Sequence, residues 1–292
     1  MLEIITTVSQ ADYELLDSGD GEKLERYGVH VLRRPDPQAL WKRNLLDKDW
    51  QKAEAVFLRD GRATEWKTKS GLPEKWPINF GGLKFWIRPT TFKHTGLFPE
   101  QLGNWAWFGD LIKKRLKKDK TSLKVLNLFG YTGGASLAAA VAGASVCHVD
   151  GSKTAIGWAR DNAELSGLSD KPVRWILDDA TAFVRREIKR GNKYDGIILD
   201  PPAFGHGPKG EMWKIEENFL PLLDLCFQVL SAQPLFFLVN GYASGYSSIA
   251  YENNLLALKD KYGGELEKGE LTLAESGGRL LPCGIFSRWH KL

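Results

Sequence analysis

The chain has 292 residues, 43% of them hydrophobic and 26% charged, with 40 basic against 36 acidic side chains and a formal charge of +4. That composition suits a soluble globular chain of one large or two smaller domains, and it excludes a disordered or fibrous protein. No apolar run is long enough to cross a bilayer, the start MLEIITTVSQADYELLD is unlike a signal peptide, and three dispersed cysteines match no metal-ligand spacing, so a reducing cytoplasm is expected.

Residues 1–94 are expected to form a small β-rich module. YELLDSGDGEKLERYGVHVLRRP places two mixed polar and apolar segments around the turn signal SGDG, AVFLRDGRATEW does so around RDG, and INFGGLKFWIRP around GG. One helical patch is expected near PQALWKRNLL. Seven of the eleven tryptophans fall between Trp41 and Trp107, a density read first as aromatic core packing and second as a base-stacking surface.

Residues 95–292 change texture to strand and helix in alternation. LKVLNLF, ASVCHVD, VRWILD, YDGIILD and PLFFLVN are short, nearly all-apolar strands. Helical patterns separate them, such as SKTAIGWARDNAELSG, with Ser152 as its N-cap and Gly167 as its stop. This predicts an α/β domain built on a seven-stranded, mostly parallel sheet covered on both faces. GGELEKGELTLAES and LLPCGIFSRWH, joined by GGR with no helix between, should close it as an antiparallel hairpin.

In an open parallel sheet, ligands bind beyond the carboxyl ends of the strands. The loop after VLNLF, with Gly130, Gly133 and Gly134, is therefore a ligand loop by position, and Asp150 ends the next strand where an acid can bind both hydroxyls of a ribose. The dinucleotide pattern G-x-G-x-x-G is broken at Thr132, and the phosphate-cradling G-x-x-x-x-G-K-[ST] is absent. A ligand with a ribose and no pyrophosphate is expected, and S-adenosylmethionine fits; a tight packed turn without a ligand is the plain alternative. Further on, Asp200-Pro201-Pro202-Ala203-Phe204 follows the fourth strand. Two prolines cannot continue a ladder, so the chain is held stiffly at the same sheet edge. A rigid carbonyl there can accept from an amino or ring N–H, and Phe204 offers a ring to a flipped base.

Together NLFGYTGG, HVDGSKTAIGWARDN, DDA and DPPAF resemble the motif series of class I S-adenosylmethionine-dependent methyltransferases, and more closely the bacterial enzymes that methylate bases of large-subunit ribosomal RNA. The resemblance covers roughly residues 80 to 292 and implies a Rossmann-like domain. FKHTGLFPEQLGNW is similar to a K-T-G-x-x-x-D-Q-R segment that helps cover the cofactor in those relatives, with Glu100-Gln101 in place of Asp-Gln. The resemblance implies that Asp150 holds the ribose hydroxyls, while Gly130, Tyr131, Thr132 and Gly133 line the methionine and ribose. It places Ser152 and Lys153 on the adenine side, Asp179 (or its neighbour Asp178) at the adenine amino group, and Thr95 and Gln101 against the cofactor from the leading segment. Asp200 would sit near the sulfonium with Pro201 and Pro202 stiffening its loop, and Phe204 near the target base.

Methylation at C5 of a pyrimidine needs an enzyme thiolate that first adds to C6. DPPAFGHG and LVNGYASGYS carry no cysteine where relatives of that chemistry place one, Cys147 and Cys226 read as buried, and Cys283 is a weak candidate. A nitrogen target is therefore favoured, with Asn240 either orienting the base or capping a turn, and His206 either a proton acceptor, a phosphate contact or neither. The run KKRLKKDKTSLK, Lys113 to Lys124, is read first as a solvated helix face and second as an RNA surface. The expected protein is a methyltransferase acting on RNA, ribosomal RNA above all, with no membrane or metal partner. Methylation of a small molecule or protein, a nicotinamide oxidoreductase, and a non-catalytic RNA-binding protein keeping the fold are the rival classes.

Overall fold

The computed structural model describes residues 1–60, 63–90, 93–119, 122–242 and 245–292. The chain forms two compact units, one of Met1–Ile5, Gly103–Leu271 and Gly284–Leu292, the other of Thr6–Leu102 and Thr272–Cys283.

After strand β1 (Leu2–Thr7) come β2 (Tyr13–Gly19), β3 (Glu22–Tyr27), β4 (His30–Pro35), the short helix α1 (Asp47–Trp50), β5 (Ala55–Asp60), β6 (Ala63–Thr68), β7 (Trp76–Phe80) and β8 (Leu83–Ile87). Strands β2 to β6 pair in chain order, antiparallel except where β4 meets β5, and β7–β8 is a separate hairpin. Two of the turn signals act through positive φ. Asp20 and Gly21 stand at 53° and 78° between β2 and β3, and Gly81 and Gly82 at 58° and 78° between β7 and β8. Both are the mirror-image turns whose twist matches that of the flanking strands. The RDG turn lies outside the described residues.

The expected helix over PQALWKRNLL is not formed. That stretch is a strap across the β2–β3 turn: the carbonyls of Ala39 and Trp41 accept from Gly21 and Asp20 at 2.9 and 2.7 Å. The amides of Asn44 and Leu45 donate to the Asp17 carboxylate. Bonds to distant residues replace the local ladder, and only Asp47–Trp50 closes a helical turn. Deeper in this unit Glu25 is enclosed, accepting from Arg34 Nε at 2.8 Å and from the Tyr13 and Tyr27 hydroxyls at 3.0 and 3.1 Å. Burial opposes its ionisation, but Arg34 and Lys23 outweigh that and hold the carboxyl down to about 2.

The other unit continues with α2 (Leu102–Asp119), β9 (Lys124–Leu128), α3 (Gly134–Ala142), β10 (Ser145–Asp150), α4 (Lys153–Leu165), β11 (Val173–Leu177), α5 (Ala180–Arg190), β12 (Gly196–Leu199), β13 (Phe204–His206), β14 (Met212–Lys214), α6 (Ile215–Gln228), β15 (Phe236–Gly241), α7 (Ser248–Tyr262), β16 (Glu265–Ala274) and β17 (Leu280–His290). The main sheet runs β1-β16-β17-β15-β12-β9-β10-β11. Its five strands from β15 to β11 are parallel, and β17 is antiparallel to β15, as the alternating pattern predicted. The leading β1 adds an eighth strand at the edge.

Alternate residues face opposite ways. Leu126, Leu128, Cys147, Val149, Ile197, Leu199, Phe237 and Val239 pack with α5, α6 and α7 in one apolar cluster. On the other face Phe236 stacks on Phe108 of α2, and Asn127 and His148 meet Ser136 of α3. Most of the basic run is the outer face of α2, where Lys113, Lys114, Lys117 and Lys118 are exposed. Among the described residues no helix is long and apolar enough to cross a membrane.

Candidate active site

From β9 the chain winds outward through β10 to β11, then returns to the other side of β9 with β12 and β15. The order therefore reverses between β9 and β12, where open α/β sheets leave a crevice at the strand ends. The two loops at that crevice are residues 129–133, after β9, and 200–203, after β12.

The first loop is held in a costly shape. Phe129 and Tyr131 have φ of 58° and 49°, a region that side chains with a Cβ avoid. Three bonds over-determine it: Gly130 N–H to Val149 O at 3.1 Å, Gly133 N–H to Gly130 O at 3.0 Å, and Tyr131 N–H to Asp150 Oδ2 at 2.8 Å. Gly133, at φ 90°, opens α3, and a Cβ there would lie 3.0 Å from that of Ala159. Thr132 is buried, its carbonyl accepting from Asn162 Nδ2 at 2.9 Å, and the Tyr131 ring leans on Trp158.

Asp150 ends β10 half-buried, accepting from Tyr131 N–H and from Ser152 N–H, each at 2.8 Å. Burial raises its pKa above the usual aspartate value, with the two amides opposing. The amides orient the carboxylate and leave each oxygen a further lone pair, the acceptor set that a ribose diol requires. A close-approach glycine loop beside such a carboxylate fits a nucleoside with no pyrophosphate. Ser152 caps α4 as expected, its hydroxyl accepting from Ala155 N–H at 3.2 Å, and Lys153 is exposed beside it. Asp179 caps α5 through Oδ1 to Ala182 N–H at 2.8 Å, which leaves Oδ2; Asp178 is paired with Arg186. Thr95 and Gln101 are both buried in the other unit, Gln101 in a short turn of tight helix over Pro99–Gln101.

In the second loop Asp200 is half-buried, Pro201 buried and Pro202 exposed. The chain then turns back as the hairpin β13–β14, with Phe204 opposite Lys214 and His206 opposite Met212. Those side chains share one face: Phe204 is 55% exposed, Met212 is exposed, and the Phe204 and His206 rings meet edge to face at 5.1 Å. The opposite face carries Trp213, buried against Phe129, which donates its indole N–H to Pro202 O at 2.7 Å. Ala203 O likewise accepts from Ile215 N–H. The tip of this hairpin touches the Asp150 loop, with His206 O at 3.3 Å from where a Gly151 Cβ would stand.

Sequence reasoning missed the layer beneath the first loop. His148 is fully buried, its Nδ1 2.9 Å from Ser136 Oγ, which accepts from Asn127 Nδ2 at 2.9 Å. Burial lowers the His148 pKa to about 3, so the ring is neutral. A polar residue inside each of two apolar strands, KVLNL and SVCHVD, was the available signal. Asn240 lies within β15, buried, and accepts from Asn104 Nδ2 at 3.0 Å, so it caps no turn. All three cysteines are buried, and burial raises the pKa of each, that of Cys147 to about 11.

The family model for S-adenosylmethionine-dependent methyltransferases matches residues 53–218. A crystal structure of a SAM-dependent methyltransferase from Agrobacterium tumefaciens is 42% identical with a TM-score of 0.91, covering 99% of this chain and 93% of that one. Ribosomal RNA large subunit methyltransferase K from Neisseria meningitidis is 26% identical over 77% of this chain and 64% of its own length. Ribosomal RNA large subunit methyltransferase K/L from Shewanella baltica is 34% identical over 51% of this chain, which spans only 20% of that protein.

Proposed function

Because the chain belongs to the S-adenosylmethionine-dependent methyltransferases, we propose that it methylates a base of ribosomal RNA, at nitrogen rather than at C5 of cytosine. The observation that carries this reading is the β13–β14 hairpin: an exposed aromatic edge, Phe204 with His206, set on the D-P-P-A-F loop and touching the Asp150 loop. A flipped base stacks on such a ring, and stacking is indifferent to the rest of a large substrate. The names of the Neisseria and Shewanella relatives support the choice of ribosomal RNA.

Bound S-adenosylmethionine supplies a methyl group already activated by its sulfonium. The work left to the chain is positioning. Asp150 would accept from the two ribose hydroxyls, Gly130 to Gly133 would let backbone lie against the cofactor, and Oδ2 of Asp179 would accept from the adenine amino group. Ser152 and Lys153 would flank that side. Phe204 holds the base, and Asp200 accepts from its amino or ring N–H, since the Pro202 and Ala203 carbonyls already accept from Trp213 and Ile215. The base nitrogen would exchange its proton for the methyl, and Asp200 or solvent would receive that proton. Attack by nitrogen needs no thiol, which agrees with three cysteines whose pKa values burial raises.

The test is transfer of labelled methyl from S-adenosylmethionine to ribosomal RNA from a strain lacking this protein, with Asp200→Ala as the control. Label in one N-methylated nucleoside, lost in the control, is expected. Label in 5-methylcytidine would refute the nitrogen assignment, and cofactor binding without any RNA label would move a small-molecule or protein acceptor to the front.

A further inference from the structure

At the amino ends of the strands, the sheet edge opposite the crevice, there is a cavity of about 440 Å³. Its floor is Val146 and Cys147 of β10 with Tyr194, all buried. Its rim is basic: Lys124 opens β9, Lys171 and Arg174 flank the start of β11, and Lys193 precedes β12, all four exposed.

No aspartate or glutamate is among the residues that line it, and none of the four cations joins an ion pair among the described residues. The acids nearby are committed elsewhere. Glu187 accepts from the Tyr194 hydroxyl at 2.6 Å, Asn192 Nδ2 at 2.8 Å and Arg190 at 2.9 Å, and Asp195 accepts from the Lys124 amide at 2.9 Å. Backbone donors are also used, Val146 N–H by Pro172 O and Tyr194 N–H by Val229 O. Lys193 Nζ donates to Gln228 O at 2.6 Å, and the Arg174 charge acts on Glu187, which lies outside the lining, so the cavity wall itself is basic and carries no carboxylate. Like charges around a concave, low-dielectric wall focus a positive field inward, which an anion relieves.

We propose that this cavity binds phosphate esters, and that the backbone phosphates of the RNA acceptor supply them. The identity of the acceptor rests on the function proposed above; the phosphate site does not. The strands between the two edges are five or six residues long, so the edges stand roughly 15–20 Å apart at about 3.3 Å per residue. An RNA strand bridges that distance, and a small methyl acceptor does not.

The experiment compares the full chain with a Lys124→Gln, Lys171→Gln, Arg174→Gln variant. All three side chains are exposed, none joins an ion pair among the described residues, and unchanged S-adenosylhomocysteine affinity checks the fold. A short fluorescein-labelled RNA is titrated by anisotropy across a salt series, and ADP and pyrophosphate are titrated by calorimetry. Losing three phosphate contacts lowers the slope of log K against log salt by about 2, roughly a hundredfold in affinity near 0.1 M salt. That result supports RNA as the ligand. Unchanged RNA binding, with ADP or pyrophosphate binding lost from the variant, keeps the phosphate site but assigns it to a free nucleotide. If the RNA affinity and slope are unchanged and neither small anion binds, the proposal is overturned, even where methyl transfer to RNA proceeds. Conversely, loss of RNA binding in the variant without methyl transfer to RNA by the native chain would sink the functional reading and leave the cavity standing.

Discussion

Gly130→Ala isolates the contact between the cofactor loop and the layer beneath it. Gly130 does not have the positive φ of its neighbours, so alanine meets no backbone penalty there and the outcome is steric. An added Cβ would stand 2.4 Å from Cε1 and 2.5 Å from Nδ1 of His148. The imidazole cannot retreat: it is fully buried, bonded to Ser136, and packed against Trp175 with ring centroids 4.9 Å apart. Overpacking of this kind costs about 1–3 kcal/mol, divided between lost stability and a displaced loop. Each 1.4 kcal/mol or so that falls on the loop weakens cofactor binding about tenfold. The assay is a double-mutant cycle with His148→Ala, reading urea stability and S-adenosylhomocysteine affinity. Removing the ring clears the space, so Gly130→Ala should cost little in the His148→Ala background, a coupling of about 1–3 kcal/mol. Equal losses in both backgrounds would refute the steric argument.

The raised pKa of Asp150 sets the sign of two pH effects. Its acceptor role needs the carboxylate, so cofactor affinity should fall as pH drops through a midpoint above the ordinary ~3.9, and Asp150→Asn should bind weakly with no such limb. Stability without cofactor should move the other way, falling as pH rises through that window, because the folded state binds the proton more tightly than the unfolded one. Phe204→Ala, at an exposed position, should leave stability within about 0.5 kcal/mol and cost roughly 1–3 kcal/mol in kcat/KM for RNA; an unchanged kcat/KM would remove the stacking role. Trp213→Phe deletes the 2.7 Å bond to Pro202 O. It should cost about 0.5–1.5 kcal/mol of stability and slow methyl transfer without changing S-adenosylhomocysteine affinity, and an affinity loss instead would show that the indole supports the wrong loop.

Much of this site was legible in the sequence because it is written in local terms. A buried parallel strand must be apolar over four to six residues, which marked β9, β10, β12 and β15. A position that combines positive φ with close packing favours glycine, as at Gly133, and a helix start wants a short polar cap, as at Ser152. Asp150 and the D-P-P-A-F segment followed from their places at strand ends. What no window of the sequence contains is which distant groups meet. The segment after Pro37 has a helical pattern, yet Asp17, Asp20 and Gly21 take its backbone bonds. Asn127, Ser136 and His148 look like isolated polar residues until two strands and a helix bring them together. The short hairpin that seats Phe204 is tied by Trp213, eleven residues after Pro202. The four cations of the cavity come from three segments between residues 124 and 193. Periodicity and backbone conformation are properties of neighbouring residues; hydrogen-bond partners, desolvation and uncompensated charge arise only when the folded chain brings remote segments together.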